Sequence, residues 1–232
     1  MKIMINKKND SYTRFLTSPN NPHFVITMML FGLILLNPFV PDYAVHLIFL
    51  TAAFYSAVLL SGDTPRIRRA VICLGALVVA SMIVLEYVAK HGIDHLLRVA
   101  LIGQFLTVFI FLAYCVCISL LLLLKIQCIS AREIFATVNL YLILGFTWAY
   151  GYMLLQAHDP GSFNLSAANQ GVGVQMVYFS FVTLTTLGFG DITPLSRVAH
   201  MLTVTEAIIG NLYVAVVVTY LLSVHFDRRI KS

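Results

Sequence analysis

Apolar residues are gathered into long blocks with short polar joints between them. A helix that crosses a bilayer needs about 20 mostly apolar residues, within a range of roughly 17–25. Six stretches meet that requirement: Phe24–Val40, Tyr43–Ser61, Ala70–Val88, Leu97–Leu124, Ile134–Leu155 and Val198–Val224. The first is the shortest and is closed by Asn37, Pro38 and Pro41. Between the fifth and the sixth the pattern changes. Gly161–Gly173 is polar and rich in Gly, Ser and Asn, and Val174–Thr185 is apolar and aromatic but too short to cross. A short apolar run of this kind reads as a re-entrant segment. The expected architecture is all-α and integral to a membrane, with six transmembrane helices and a re-entrant helix and loop between helices five and six.

Composition agrees with lipid as the solvent. Hydrophobic residues make up 59% of the 232 and charged residues only 11%, against about 25% charged in a soluble domain. A water-soluble chain of this length could not hide so much apolar surface. The net charge of +5 raises nucleic acid as a partner only until the charges are placed. They flank the apolar runs and so mark topology. Six spans put both termini on one side. With the N-terminus inside, the inner side holds Lys2, Lys7, Lys8, Arg14, Arg66, Arg68, Arg69, Lys125, Arg132, Arg228, Arg229 and Lys231, twelve in all. The outer side holds three: Lys90, Arg98 and Arg197. The cytoplasmic excess of positive charge selects this orientation. The run Arg66-Ile67-Arg68-Arg69 reads either as a topology signal or as a contact with anionic lipid.

Met1 to Asn21 is polar and basic, and no small-residue cleavage site follows the first apolar run, so no secretory signal is expected. The expected division is a cytosolic tail over residues 1–22, a four-helix transmembrane domain over 23–130, a second domain over 131–226 and a short cytosolic tail over 227–232. Cys73, Cys115, Cys117 and Cys128 lie in or beside apolar runs and form no metal-type C-x-x-C. They read as small apolar residues. No nucleophile–base pair, metal cluster or phosphate loop stands in a plausible setting, so neither an enzyme nor a cofactor is expected.

From Tyr178 the chain reads Y-F-S-F-V-T-L-T-T-L-G-F-G-D-I-T-P. This stretch resembles the pore loop of potassium channels, whose filter pattern is T-V-G-Y-G-D, with Leu187 in place of Val and Phe189 in place of Tyr. The G-F-G form is similar to the second pore loop of two-pore-domain potassium channels and to many prokaryotic filters. The resemblance covers the chain from about Glu133 onward; spans one to four resemble the family only in number and order. It implies that the segment Thr186-Leu187-Gly188-Phe189-Gly190-Asp191 is a selectivity filter. Potassium must shed its water and find replacement oxygens, which rings of backbone carbonyls supply. For successive carbonyls to point the same way, the backbone must alternate with left-handed conformations. Glycine reaches those without a Cβ clash, which suits Gly188 and Gly190. The carbonyls of Thr186, Leu187, Gly188 and Phe189 would then hold K+, the Thr186 hydroxyl would add the innermost ring, and the Leu187 and Phe189 side chains would brace the filter from behind. One chain offers one such loop and a closed ring needs four, which implies a cyclic homotetramer.

The resemblance assigns neighbours as well. Tyr178, eight residues before Thr186, aligns with an aromatic donor that bonds the acid after the last glycine, here Asp191. The other reading of Tyr178 is an interfacial anchor. Thr185 and Val182 belong to the filter's support, and Val182 stands where some relatives have Glu. Gly210, sixteen residues after Pro194, matches an inner-helix hinge glycine, although lipid-embedded helices also use glycine for packing. Glu206 is the only acid deep within a span. An intramembrane ionisable residue is a functional hypothesis by default, and Glu206 is expected to face the filter's support, either protonated or hydrogen-bonded. Asn211 is expected to face the cavity, and Val214, Val218 and Leu222 to continue one pore-lining stripe.

The fourth span carries Arg98 near its outer end, Lys125 at its inner end and no base between. Without an arginine ladder, steep voltage dependence is not expected. No ion-sensing or nucleotide-binding domain is expected after the pore. The reading is therefore a potassium channel of the cell membrane, background-type or gated at the filter or by lipid, with itself, lipid and K+ as partners. The rivals are a non-selective cation channel, the ion-translocating subunit of a transporter, and a non-conducting receptor or scaffold. Transporter subunits usually carry four pore repeats in one chain, and only one is found. His158 and His225 are the candidate pH sensors in the loops. Asn164-Leu165-Ser166 is a glycosylation sequon on the expected outer side.

Overall fold

The computed structural model describes residues 22–36, 51, 54–55, 64–92, 94–123, 131–165 and 171–220. The N-terminal tail, nearly all of the second expected span, Lys125, Cys128, Leu222, His225 and the C-terminal tail lie outside the described residues.

The described chain is mostly helical. Helices α1 (Pro22–Leu36), α2 (Pro65–Lys90), α3 (Asp94–Leu123) and α4 (Ala131–His158) are followed by a short strand, β1 (Phe163–Asn164). Then come α5 (Val172–Leu184), β2 (Thr193–Pro194) and α6 (Arg197–Tyr213), which runs on into a π-helical turn at Val214–Val218. Among the described residues, four stretches are long and apolar enough to cross a membrane: Pro65–Lys90, Leu96–Leu123, Glu133–His158 and Arg197–Val217. The described part of α1, at 15 residues, is about 22 Å long.

Each end has a local cause. Pro65 opens α2, where its fixed φ suits a first helical turn and its missing N–H is not needed. Gly92, at φ +64, closes the same helix in the left-handed region. Its N–H bonds the Ala89 carbonyl, and that of His91 bonds Tyr87. Ser196 caps α6 by accepting from the Ala199 amide at 3.1 Å.

The molecule is organised around α4. Within the chain, 67% of its apolar stretch is buried, against 17% for α2, 33% for α3 and 22% for α6. It packs against α1, α3, α5 and α6. Lipid tails are as apolar as leucine, so polar contacts carry much of the specificity between such helices. Ser81 of α2 donates to Gln104 Oε1 of α3 at 2.7 Å. The Thr27 hydroxyl of α1 lies 2.6 Å from Asn139 Oδ1 of α4, whose amide donates to the His23 carbonyl at 3.1 Å. Arg98 of α3 donates to the Ala157 and His158 carbonyls at the C-terminal end of α4, at 3.2 and 2.7 Å. There a cation meets both unsatisfied carbonyls and the negative end of the helix dipole.

Three details add to the sequence reading. The β1–β2 pair interrupts an otherwise helical chain, with Phe163 opposite Pro194 and Asn164 opposite Thr193. The last described helix does not run on as a regular α-helix. Cys73, Cys115 and Cys117 are free thiols, and only Cys115 is buried, so the other two are exposed on the surface of the chain.

Candidate functional site

Apolar residues bury α5 over most of its surface, and Met176, Val177, Phe179 and Leu184 enter the core. The helix closes at Thr185, whose amide bonds the Phe181 carbonyl at 3.0 Å and whose hydroxyl bonds the same carbonyl at 2.6 Å. The next amides fold back rather than continue. Thr186 bonds Thr183 at 2.9 Å, while Leu187 and Gly188 both point their amides at the Val182 carbonyl, at 2.9 and 3.3 Å. Val182 therefore supports the loop through its backbone.

Beyond this anchor the backbone alternates. Thr186, Gly188 and Gly190 have φ of +59, +55 and +79, and no other residue of 186–191 has positive φ. An ordinary strand turns successive carbonyls to opposite sides. Left-handed conformations at every second residue turn them to the same side instead. Thr186 is the only non-glycine residue with positive φ among the described residues, and for a β-branched side chain that is an outlier. Its position was not legible as strained, because only glycine announces this conformation in a sequence.

The loop is held from behind and from beyond. Phe189 stacks on Tyr178 of α5 with centroids 6.5 Å apart and planes 6° from parallel, and the Tyr178 phenol faces the Asp191 carboxylate. Leu187 is 58% exposed among the described residues. Past Asp191 the backbone is tied to the segment after α4: Leu195 N–H bonds the Ser162 carbonyl at 2.7 Å, beside the β1–β2 pair.

Behind α5, α6 presents Ala199, Glu206 and Gly210 as its buried stripe. Glu206 is fully buried. Its carboxyl meets Ser180 Oγ of α5 at 2.5 Å through Oε1 and the Tyr152 hydroxyl of α4 through Oε2. Gly210 lies against the end of α5. A Cβ there would meet the Leu184 carbonyl oxygen at 2.5 Å, and the Tyr141 hydroxyl of α4 lies 3.4 Å from the same oxygen. Tyr213 pins the last α-helical turn of α6 to α4 by donating to the Thr137 carbonyl at 2.6 Å. Asn211 and Val214 are exposed, and Leu222 lies outside the described residues. The expected residues thus fall into two groups: Val182, Thr185, Thr186, Gly188, Phe189, Gly190, Asp191 and Tyr178 around the loop, and Glu206 and Gly210 behind it. Tyr152, Ser180 and Tyr213, which complete the second group, carried no signal in the sequence, since hydroxyls are common in apolar helices.

Residues 138–226 match a family model described as an ion channel. The matched stretch begins in α4 and contains α5, the 186–191 loop and α6. No curated protein and no solved structure matches the chain. An ion-channel domain is thus carried by a mostly helical chain whose long apolar helices mark a membrane protein.

Proposed function

We propose that the chain is one subunit of a homotetrameric, potassium-selective channel of the cell membrane. The observation that carries this reading is the alternation of positive φ at Thr186, Gly188 and Gly190 directly after α5. The carbonyls of Thr186, Leu187, Gly188 and Phe189, with the Thr186 hydroxyl, are the oxygens that replace potassium's water, and four copies close each ring. At 13 residues, α5 is about 20 Å long. It enters the membrane and returns as the pore helix between the outer helix α4 and the inner helix α6. An apolar stripe on α6, made by Val198, Met201, Val204, Ile208 and Leu212, is more than half exposed in the single chain, and Leu187 and Phe189 lie on the loop beside α5. Neighbouring subunits cover part of that surface and the rest faces the cavity.

Reconstitution of the purified protein in liposomes tests conduction and selectivity together. Potassium flux with sodium excluded is the expected result. A reversal potential that ignores the exchange of sodium for potassium would make the pore non-selective, and an absence of flux would remove the channel reading.

Six spans with both termini in the cytosol follow from twelve basic residues on one side and three on the other. Single cysteines at Ser11 and Ser166 should therefore react with an impermeant thiol reagent from opposite faces. Labelling from the same face would end this topology.

The conductance should change little between about −100 and +100 mV, because a gating charge gains only about 2.3 kcal/mol per 100 mV and few are present to move. Arg98, the single Lys or Arg of α3, is already held by carbonyls of α4. A steep sigmoidal opening curve would show that this domain senses voltage after all.

A further inference from the structure

The contacts of Ser180 contain more acceptors than its proton can serve. Its Oγ lies 2.6 Å from the Gly145 carbonyl of α4 and 2.5 Å from Glu206 Oε1 of α6. A serine hydroxyl has one proton and can accept through its lone pairs. If Glu206 is a carboxylate, both neighbours are acceptors and one short contact has no hydrogen in it. If Glu206 is a carboxylic acid, its O–H donates to Ser180 and Ser180 donates to Gly145, and each contact is a hydrogen bond. Tyr152 then donates to Oε2.

The surroundings fit a neutral group. Tyr152 and, farther away, Tyr141 face Glu206 from α4; α5 offers Ser180; and no Lys, Arg or His among the described residues acts on it. A buried carboxylate without a cationic partner is costly. The close approach is built into the helices. A Cβ on Gly145 would meet the Phe181 ring of α5 at 2.7 Å, so glycine there is what lets Ser180 reach the α4 backbone.

We propose that Glu206 is a positioning residue for the filter and that it acts as a neutral carboxylic acid. It joins three helices at one point: α4 through Tyr152, α5 through Ser180 and α6 through its own backbone. Ser180 lies on α5 six residues before Thr186, and the same helix supplies the Val182 carbonyl that anchors the loop. The proton on Glu206 thus decides whether Ser180 of α5 is hydrogen-bonded to both flanking helices or to one. This inference rests on the channel reading for its consequence and on hydrogen-bond geometry for its chemistry, and the two are tested separately.

Infrared spectra of the purified protein at neutral pH test the chemistry. A protonated-carboxyl C=O band should be present in the native protein and missing in Glu206→Gln. Absence of that band from the native protein overturns the proposal whether or not the protein conducts. Flux tests the consequence. The Gln amide can donate to Ser180 and accept from Tyr152, so Glu206→Gln should retain native potassium over sodium discrimination. Glu206→Ala and Ser180→Ala should lose discrimination by about tenfold, the ratio equivalent to roughly 1.4 kcal/mol. Tetramers are verified by cross-linking in the same samples. Should Glu206→Ala fail to assemble, Ser180→Ala carries the comparison alone. Equal losses in Glu206→Gln and Ser180→Ala, or native selectivity in Ser180→Ala, would overturn the proposal.

Discussion

Gly190→Ala should abolish selective potassium conduction while the protein still inserts and assembles. Gly190 sits at φ +79, and an added Cβ would meet nothing within 4 Å. The cost is therefore conformational and not a clash. An L-residue in the left-handed region is disfavoured by roughly 1–2 kcal/mol, and in a tetramer that strain is imposed four times on one ion path. Turning the Phe189–Gly190 peptide would relieve it and take a carbonyl away from the proposed ion path. Gly171→Ala is the matched control, because Gly171 precedes α5 at φ −58, a conformation any residue accepts. Cross-linked tetramers confirm that the variant assembled, and flux with a sodium control measures the result. A Gly190→Ala tetramer that still passes potassium and still excludes sodium would mean that 186–191 is not the filter.

Gly210→Ala should destabilise the protein and impair conduction, the reverse of what helix propensity alone dictates. Alanine is favoured over glycine in a helix interior by about 1 kcal/mol. At this position, however, the new methyl would lie 2.5 Å from the Leu184 carbonyl oxygen and 2.9 Å from Leu184 Cδ1. Backbone cannot move aside as a flexible side chain does, and overpacking of this kind costs about 1–3 kcal/mol. Leu184 is two residues from Thr186, so the displacement is transmitted to the start of the proposed filter. Gly103→Ala, in the interior of α3 with nothing within 4 Å, should instead raise the thermal unfolding midpoint in detergent. The contrast separates two roles. A glycine that serves only as a hinge accepts a methyl in the resting structure, whereas a glycine at a close contact does not. A midpoint for Gly210→Ala at or above the native value would favour the hinge. The π turn at Val214–Val218, one residue beyond the Tyr213 pin, is the other place where α6 departs from a regular helix.

What the sequence determined by itself concerns properties that are local or that report on the solvent. Apolar runs of sufficient length foretold α2, α3, α4 and α6 to within a few residues at most ends, because each must satisfy its own backbone in lipid. The polar joints and the placement of Lys and Arg carry the proposed topology. The loop could be located because Gly188 and Gly190 mark positive φ, a conformational demand met within one residue. Tertiary structure decided the rest. Glu206 meets Ser180 and Tyr152 from 26 and 54 residues away, and Arg98 meets His158 from 60. Gly210 is a contact glycine because of where Leu184 ends α5. A helix in water shows its buried face as an apolar stripe against a polar one. In lipid both faces are apolar, so the pattern that locates a helix in the membrane is silent about which side packs, and against what.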